Sequence, residues 1–213
     1  MRIAILDDYQ NIALQSADWT DVQNHGEITV FNDHVCNTGD LISRLEPFDV
    51  LALARNLMAE NASMRAGGWQ VGIGQDLAGS TLGIIGLGRL GAKVAKMAQA
   101  FDMHVCAWSA NLTQERCDEL GVTHMATKED LLRASDFVTI HQRLSDRTHG
   151  LIGTNELKQM KPTAYLINTS RGPIIDDTAL IDALNSGEIA GAALDVYDHE
   201  PLPVSHPLRH CDG

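Results

Sequence analysis

Three groups of residues are of the types and spacings that carry chemistry. Gly86-Leu87-Gly88-Arg89-Leu90-Gly91 is a GxGxxG run that follows the apolar Leu82–Ile85 and precedes Val94, Met97, Ala98 and Phe101, spaced for one helical face. Strand, glycine-rich turn and helix in that order set backbone N–H groups where a pyrophosphate would meet a helix N-terminus. Gly86 would allow the tight turn, Gly88 close backbone approach, and Gly91 close packing of helix on strand. The context carries this signal, since the glycine spacing alone is weak. Asn168-Thr169-Ser170-Arg171-Gly172 closes a later strand-like segment, placing a guanidinium that could fork onto a carboxylate or hold a carbonyl oxygen, or simply form a surface ion pair. A third segment ends at Asp195-Val196 and leads to Asp198 and Glu200, acids that serve either a site or solvent.

The second strand of a dinucleotide fold ordinarily ends on an acid that takes the adenosine ribose. Here that place reads Ala107-Trp108-Ser109-Ala110-Asn111. Ser109 neither repels a 2′-phosphate nor binds one strongly, and the next cation along the chain is Arg116. NAD and NADP both stay open, and modest discrimination between them is expected. His199, His206, His210 and Cys211 crowd the tail, but Pro201, Pro203 and Pro207 break any helix that would align them. Their spacing fits no zinc pattern, so no metal site is expected.

The elements that would position these groups alternate along the chain. The first series reads strand at 2–6, helix at about 11–22, strand at 27–31, helix at 38–45 and an apolar piece from Asp49. A helix over 51–64, with Leu53, Leu57 and Met58 on one face, ends at Gly67-Gly68. The second series has strands at 82–85, 104–108, 137–141, 165–168 and 192–196, with helices at 90–101, 113–120, 128–134 and 178–184. Apolar strands alternating with amphipathic helices imply a parallel, doubly wound α/β sheet. The organisation expected is 1–50 as one small domain, 51–79 as crossover helix and linker, and 80–213 as a Rossmann-type dinucleotide-binding domain.

Composition narrows the classes of partner. A net charge of −12 over 213 residues opposes nucleic acid and anionic membranes. No apolar run approaches a membrane span, and Asp7 and Asp8 interrupt the N-terminus before a signal peptide could form. Four scattered cysteines fit reduced thiols. A cytoplasmic location is expected.

GLGRLG (86–91), HQRLSDRTHGLI (141–152), MKPTAYLINTSRGPIIDDTALIDAL (160–184) and AGAALDVYDHEPLP (190–203) together resemble the D-isomer-specific 2-hydroxyacid dehydrogenase family over about Leu51 to Gly213. Residues 1–50 look like the start of its substrate domain. The resemblance implies an oxidoreductase that passes hydride between NAD or NADP and a 2-hydroxy or 2-oxo acid. It implies that Arg171 binds the substrate's carboxylate and carbonyl, that Glu200 pairs with a catalytic histidine, and that Asp195 lies beside the nicotinamide carboxamide. It further implies that Thr169 and His141 line the cofactor cleft and that Arg89 and Leu90 touch the pyrophosphate. Dimers are common in this family, so a homodimer is the assembly it allows.

The sequence departs from the family pattern twice. The Thr-Pro-His segment that carries the family's general acid/base would follow Gly213, and near Val50 to Ala54 two family segments are joined without the intervening sheet. The substrate domain is therefore expected to be an incomplete flavodoxin-like one. The chain as written is expected to show no appreciable turnover, with His199, His206 and His210 poor substitutes for the missing group. The alternative is a non-catalytic NAD(P)-binding scaffold or sensor.

Overall fold

The computed structural model describes residues 2–5, 27–30 and 54–211, and the chain divides into two compact units, 1–41 and 42–213. In the first unit, β1 (Arg2–Ile5) and β2 (Glu27–Val30) pair in parallel, with Arg2 opposite Glu27 and Ile5 opposite Val30. The helices expected at 11–22 and 38–45, the apolar piece from Asp49 and Leu53 lie outside the described residues.

In the second unit the expected alternation becomes one six-stranded parallel sheet. Its strands are β3 (Thr81–Ile85), β4 (His104–Trp108), β5 (Thr123–His124), β6 (Phe137–Ile140), β7 (Tyr165–Asn168) and β8 (Gly191–Leu194). They stand in the order β5-β4-β3-β6-β7-β8. The chain starts at the centre, winds to one edge, returns beside β3 and winds to the other, which is the doubly wound Rossmann order. β8 begins and ends earlier than expected, so Asp195 falls just past its end.

Each strand must bury both faces, and alternate side chains do so. Leu82, Ile84, Ala107, Phe137 and Ile167 pack with Val94, Ala95 and Ala98 of α2 (Arg89–Ala100) and Cys117 of α3 (Gln114–Leu120). On the opposite face Ile85, Cys106, Val138, Ile140 and Leu166 pack with residues of three helices. These helices are α4 (Lys128–Ala134), α5 (Thr154–Leu157) and α6 (Asp177–Ser186). This two-sided burial explains why the strands read as continuous apolar runs. The buried side of α2 consists of Gly91, Ala92, Val94, Ala95 and Ala98. Met97 and Phe101, expected on that face, are only partly buried, because the small residues bring the helix close to the sheet.

Side-chain caps fix where these helices begin. Thr113 Oγ1 accepts from Arg116 N at 3.3 Å, Thr127 Oγ1 from Asp130 N at 3.1 Å and Asp176 Oδ1 from Ala179 N at 2.9 Å. The helix expected over 51–64 needs correction. α1 spans Leu57–Arg65, because Asn56 takes a left-handed conformation (φ 52°) and breaks the run. Leu57 is 49% exposed and so does not belong to a buried face.

Candidate functional site

The crevice opens where the winding reverses, between the carboxyl ends of β3 and β6. Gly86 N donates to Trp108 O at 2.9 Å and His141 N donates to Ile85 O at 2.8 Å, so the strand ladders run up to the mouth. The three glycines differ in what a side chain would meet. Gly86 has φ +108°, and a Cβ there would lie 2.5 Å from the His141 carbonyl oxygen. A Cβ on Gly91 would run into the Gly86 carbonyl oxygen. A Cβ on Gly88 meets no atom within 4 Å. The turn is thus tightly packed beneath and open above Gly88, which is the N-cap of α2.

The first turn of α2 contains no acid, and its first residue, Arg89, is exposed while Leu90 is half-buried. The positive end of a twelve-residue helix therefore faces open space. A phosphate group fits both the volume and the charge, so these residues fit a dinucleotide.

A cleft of about 440 Å³ lies at the ends of β4 and β6. Ser109 and Asn111 border it from the β4 side, and Gln142, Arg143 and Arg147 from the loop after β6. Trp108 and Leu151 add apolar surface. Ser109 therefore lines a cavity. The sequence reading missed the three residues from the second loop. The signal was available, because ligands in open parallel sheets contact the loops after both strands flanking the switch point.

His141 follows β6 directly. Burial pushes its imidazole down to about 4, so it is neutral near pH 7, and Nε2 lies 3.0 Å from the buried Thr139 hydroxyl. Thr169 and Ser170 follow β7, where the buried Asn168 shapes the turn. Its Oδ1 accepts from Ser170 N at 3.1 Å and its Nδ2 donates to Arg171 O at 3.0 Å. Ser170 Oγ donates to Ile140 O at 2.6 Å and ties this turn to the end of β6. Arg171 is exposed, and one guanidinium nitrogen donates to Ser170 O at 2.6 Å.

The loop after β8 abuts that turn. A Cβ on Gly172 would collide with the Tyr197 carbonyl group and Asp198 N, so only glycine lets the two backbones meet. Asp195 N donates to Asn168 O at 3.1 Å, and the Asp195 side chain lies at the exposed rim. Glu200 is exposed, and its Oε1 accepts from Tyr197 N at 2.9 Å. Among the described residues no imidazole is bonded to Glu200. His206 instead places Nε2 3.5 Å from Asp177 Oδ2 at the start of α6, and its Nδ1 accepts from Leu208 N at 3.4 Å. Burial is the main cause of a raised Asp177 carboxyl pKa, which the nearby His206 counteracts. Among the described residues no three His, Cys, Asp or Glu side chains converge on a metal position.

A six-stranded parallel sheet in this order, with a glycine-rich turn and an open helix N-terminus at its switch point, defines a Rossmann-type dinucleotide-binding domain. A family model for the NAD binding domain of D-isomer specific 2-hydroxyacid dehydrogenases matches residues 48–213. The chain belongs to this family.

It is 45% identical over 168 residues to a glyoxylate reductase of Aeropyrum pernix, covering 75% of this chain and 50% of that protein. With a glyoxylate reductase of Thermococcus litoralis it shares 40% over 202 residues, covering 91% and 59%. The chain thus spans about half the length of the curated relatives it matches. A D-isomer specific 2-hydroxyacid dehydrogenase from Xanthobacter autotrophicus, solved in complex with NADPH and MES, superposes with a TM-score of 0.72. That match is 33% identical and covers 83% of this chain and 72% of the other.

Proposed function

We propose that this chain is the cofactor-binding part of an oxidoreductase that passes hydride between NAD(P) and a small 2-hydroxy or 2-oxo acid. The observation that carries the proposal is the alignment of three features on one sheet edge. These are the open turn at Gly88, the neutral His141 after β6 and the exposed Arg171 after β7. The backbone of Gly86–Gly91 with Arg89 and Leu90 would hold the pyrophosphate, His141 and Thr169 would line the cleft, and Asp195 would face the nicotinamide carboxamide. The bound nicotinamide supplies the hydride donor or acceptor. Arg171 is the group that binds the acid's carboxylate and draws charge toward its carbonyl oxygen. Glu200 would orient a proton-transferring imidazole.

The 1–50 segment fits the start of a flavodoxin-like substrate domain, its described part being a parallel strand pair. Residues 51–79 would cross to the cofactor domain that begins at 80. Among the described residues no helix is long and apolar enough to cross a membrane. The unpaired, buried thiols of Cys106 and Cys117 support a reducing, cytoplasmic setting.

Calorimetric titration of the chain with NADH and NADPH tests the cofactor reading, and oxidation of either in the presence of glyoxylate, hydroxypyruvate or pyruvate tests the chemistry. Binding, with turnover abolished by Arg171→Ala, supports the proposal in full. Binding without turnover supports the second reading, an NAD(P)-binding scaffold or sensor. Folded protein that binds neither nucleotide would overturn both.

A further inference from the structure

We infer that Arg143 and Arg147 form the seat of an adenosine 2′-phosphate, so that the chain takes NADPH in preference to NADH. This rests on the dinucleotide reading above. Strand order assigns the two halves of the cofactor. With the pyrophosphate on the N-terminus of α2, Arg171 at the end of β7 marks the reactive side, and β4 lies on the other side of β3. The cleft bordered by Ser109 and Asn111 is therefore the adenosine end.

The chemistry of that cleft suits a phosphate monoester. Its lining includes two guanidinium groups, two serines, a threonine and two side-chain amides but no carboxylate. Asp146, the one acid between Gln142 and Leu151, is not part of the lining. Among the described residues neither the Arg143 nor the Arg147 side chain has a hydrogen-bond or ion-pair partner, whereas Arg116 pairs with Glu119 and Arg133 with Asp130.

In a chain with 28 acids against 16 lysines and arginines, two unpaired cations facing one cavity are surplus charge held for an anion. The loop that carries them is set in place. Thr148 Oγ1 donates to Arg143 O at 2.8 Å and accepts from Ser145 N at 2.8 Å. A guanidinium presents a planar fork of donors that matches phosphate oxygens. The sequence expectation of weak discrimination looked for a cation directly after β4. The fold brings two from the loop after β6 instead.

The test is calorimetry of the 213-residue chain with NADPH and NADH, and with the fragments 2′,5′-ADP and 5′-AMP, which read the adenosine end alone. NADPH should bind about ten- to a hundredfold more tightly than NADH, as expected for charge-assisted bonds at an exposed site. The preference should shrink as salt is raised. Arg143→Gln and Arg147→Gln should each reduce it and the double variant should abolish it, weakening NADPH and 2′,5′-ADP far more than NADH and 5′-AMP. Arg116→Gln, the same charge change on α3, should leave it intact. Equal binding of NADPH and NADH, or a preference that survives in the double variant, overturns this inference and leaves the dinucleotide reading standing. Failure of folded protein to bind any of the four overturns both.

Discussion

At the scale of single residues, the glycines of the turn separate function from stability. Gly88 has ordinary extended backbone angles (φ −78°, ψ −156°) and open space above it. Gly88→Val should leave the melting temperature nearly unchanged while weakening NADPH binding by about tenfold or more, because the new side chain occupies the phosphate's place. Gly91→Val should do the reverse first. Its side chain would meet the Gly86 carbonyl oxygen and Ile84 Cγ2, an overpacking that costs about 1–3 kcal/mol, read by urea unfolding. His141 makes the pH dependence of stability predictable. Its folded pKa, about 4, lies below the ordinary 6.5, so the unfolded chain binds the extra proton first. Its contribution is complete above about pH 6.5 and is lost as pH falls toward about 4, with a ceiling of roughly 3 kcal/mol that partial exposure reduces. Urea unfolding at about pH 7.5 and pH 5 should show that loss. A loss as large in His141→Gln as in the parent chain would refute this attribution.

At the scale of elements, the N-terminal edge of the sheet is clamped away from the proposed cofactor site. Asp136 precedes β6; its Oδ2 accepts from Thr81 N at 2.8 Å and its Oδ1 from Lys161 Nζ at 2.7 Å, joining the approaches to β3, β6 and β7. Asp136→Ala should cost about 1–3 kcal/mol of unfolding free energy, the usual figure for orphaning part-buried partners. Nucleotide affinity should stay unchanged, since the site occupies the opposite edge. A change in affinity larger than that in a surface control such as Glu115→Ala would contradict this separation.

The elements themselves were largely legible in sequence. Strands buried on both faces read as apolar runs, and Thr113, Thr127 and Asp176 announce the starts of their helices as side-chain caps. Short pieces were not legible. β5 has two residues and α5 four, too few to show any period. The break at Asn56 was hidden because asparagine in a left-handed conformation is a local choice set by packing, with no glycine to mark it. In the site, the Gly86–Gly91 turn was visible because its chemistry is contiguous. The cavity that joins Ser109 to Arg143 and Arg147 was not, because strand order alone brings together residues more than thirty positions apart.

At the scale of the whole molecule, the segment after α1 presents apolar side chains that the described residues do not cover. Trp69 is 77% exposed, Val71 60% and Ile73 91%. Single exposed apolar residues are ordinary, whereas three within five positions of one segment concentrate apolar surface. The segment is held against α1. The Glu60 carboxylate accepts from Val71 N at 3.2 Å and Gly72 N at 3.0 Å, and Ser63 Oγ donates to Trp69 O at 2.6 Å. A fixed backbone with its apolar side chains turned outward loses little conformational entropy on association. A second copy of this chain is the occupant we propose, in keeping with the homodimer that the sequence resemblance allows. Sedimentation velocity should therefore show a dimer at micromolar concentration. Trp69→Ser combined with Ile73→Ser should shift it toward monomer, with NADPH affinity unchanged because the nucleotide cleft at the ends of β4 and β6 contains neither residue. A parent chain that sediments as a monomer throughout, or a dimer indifferent to the double substitution, would show that this segment has some other partner or none.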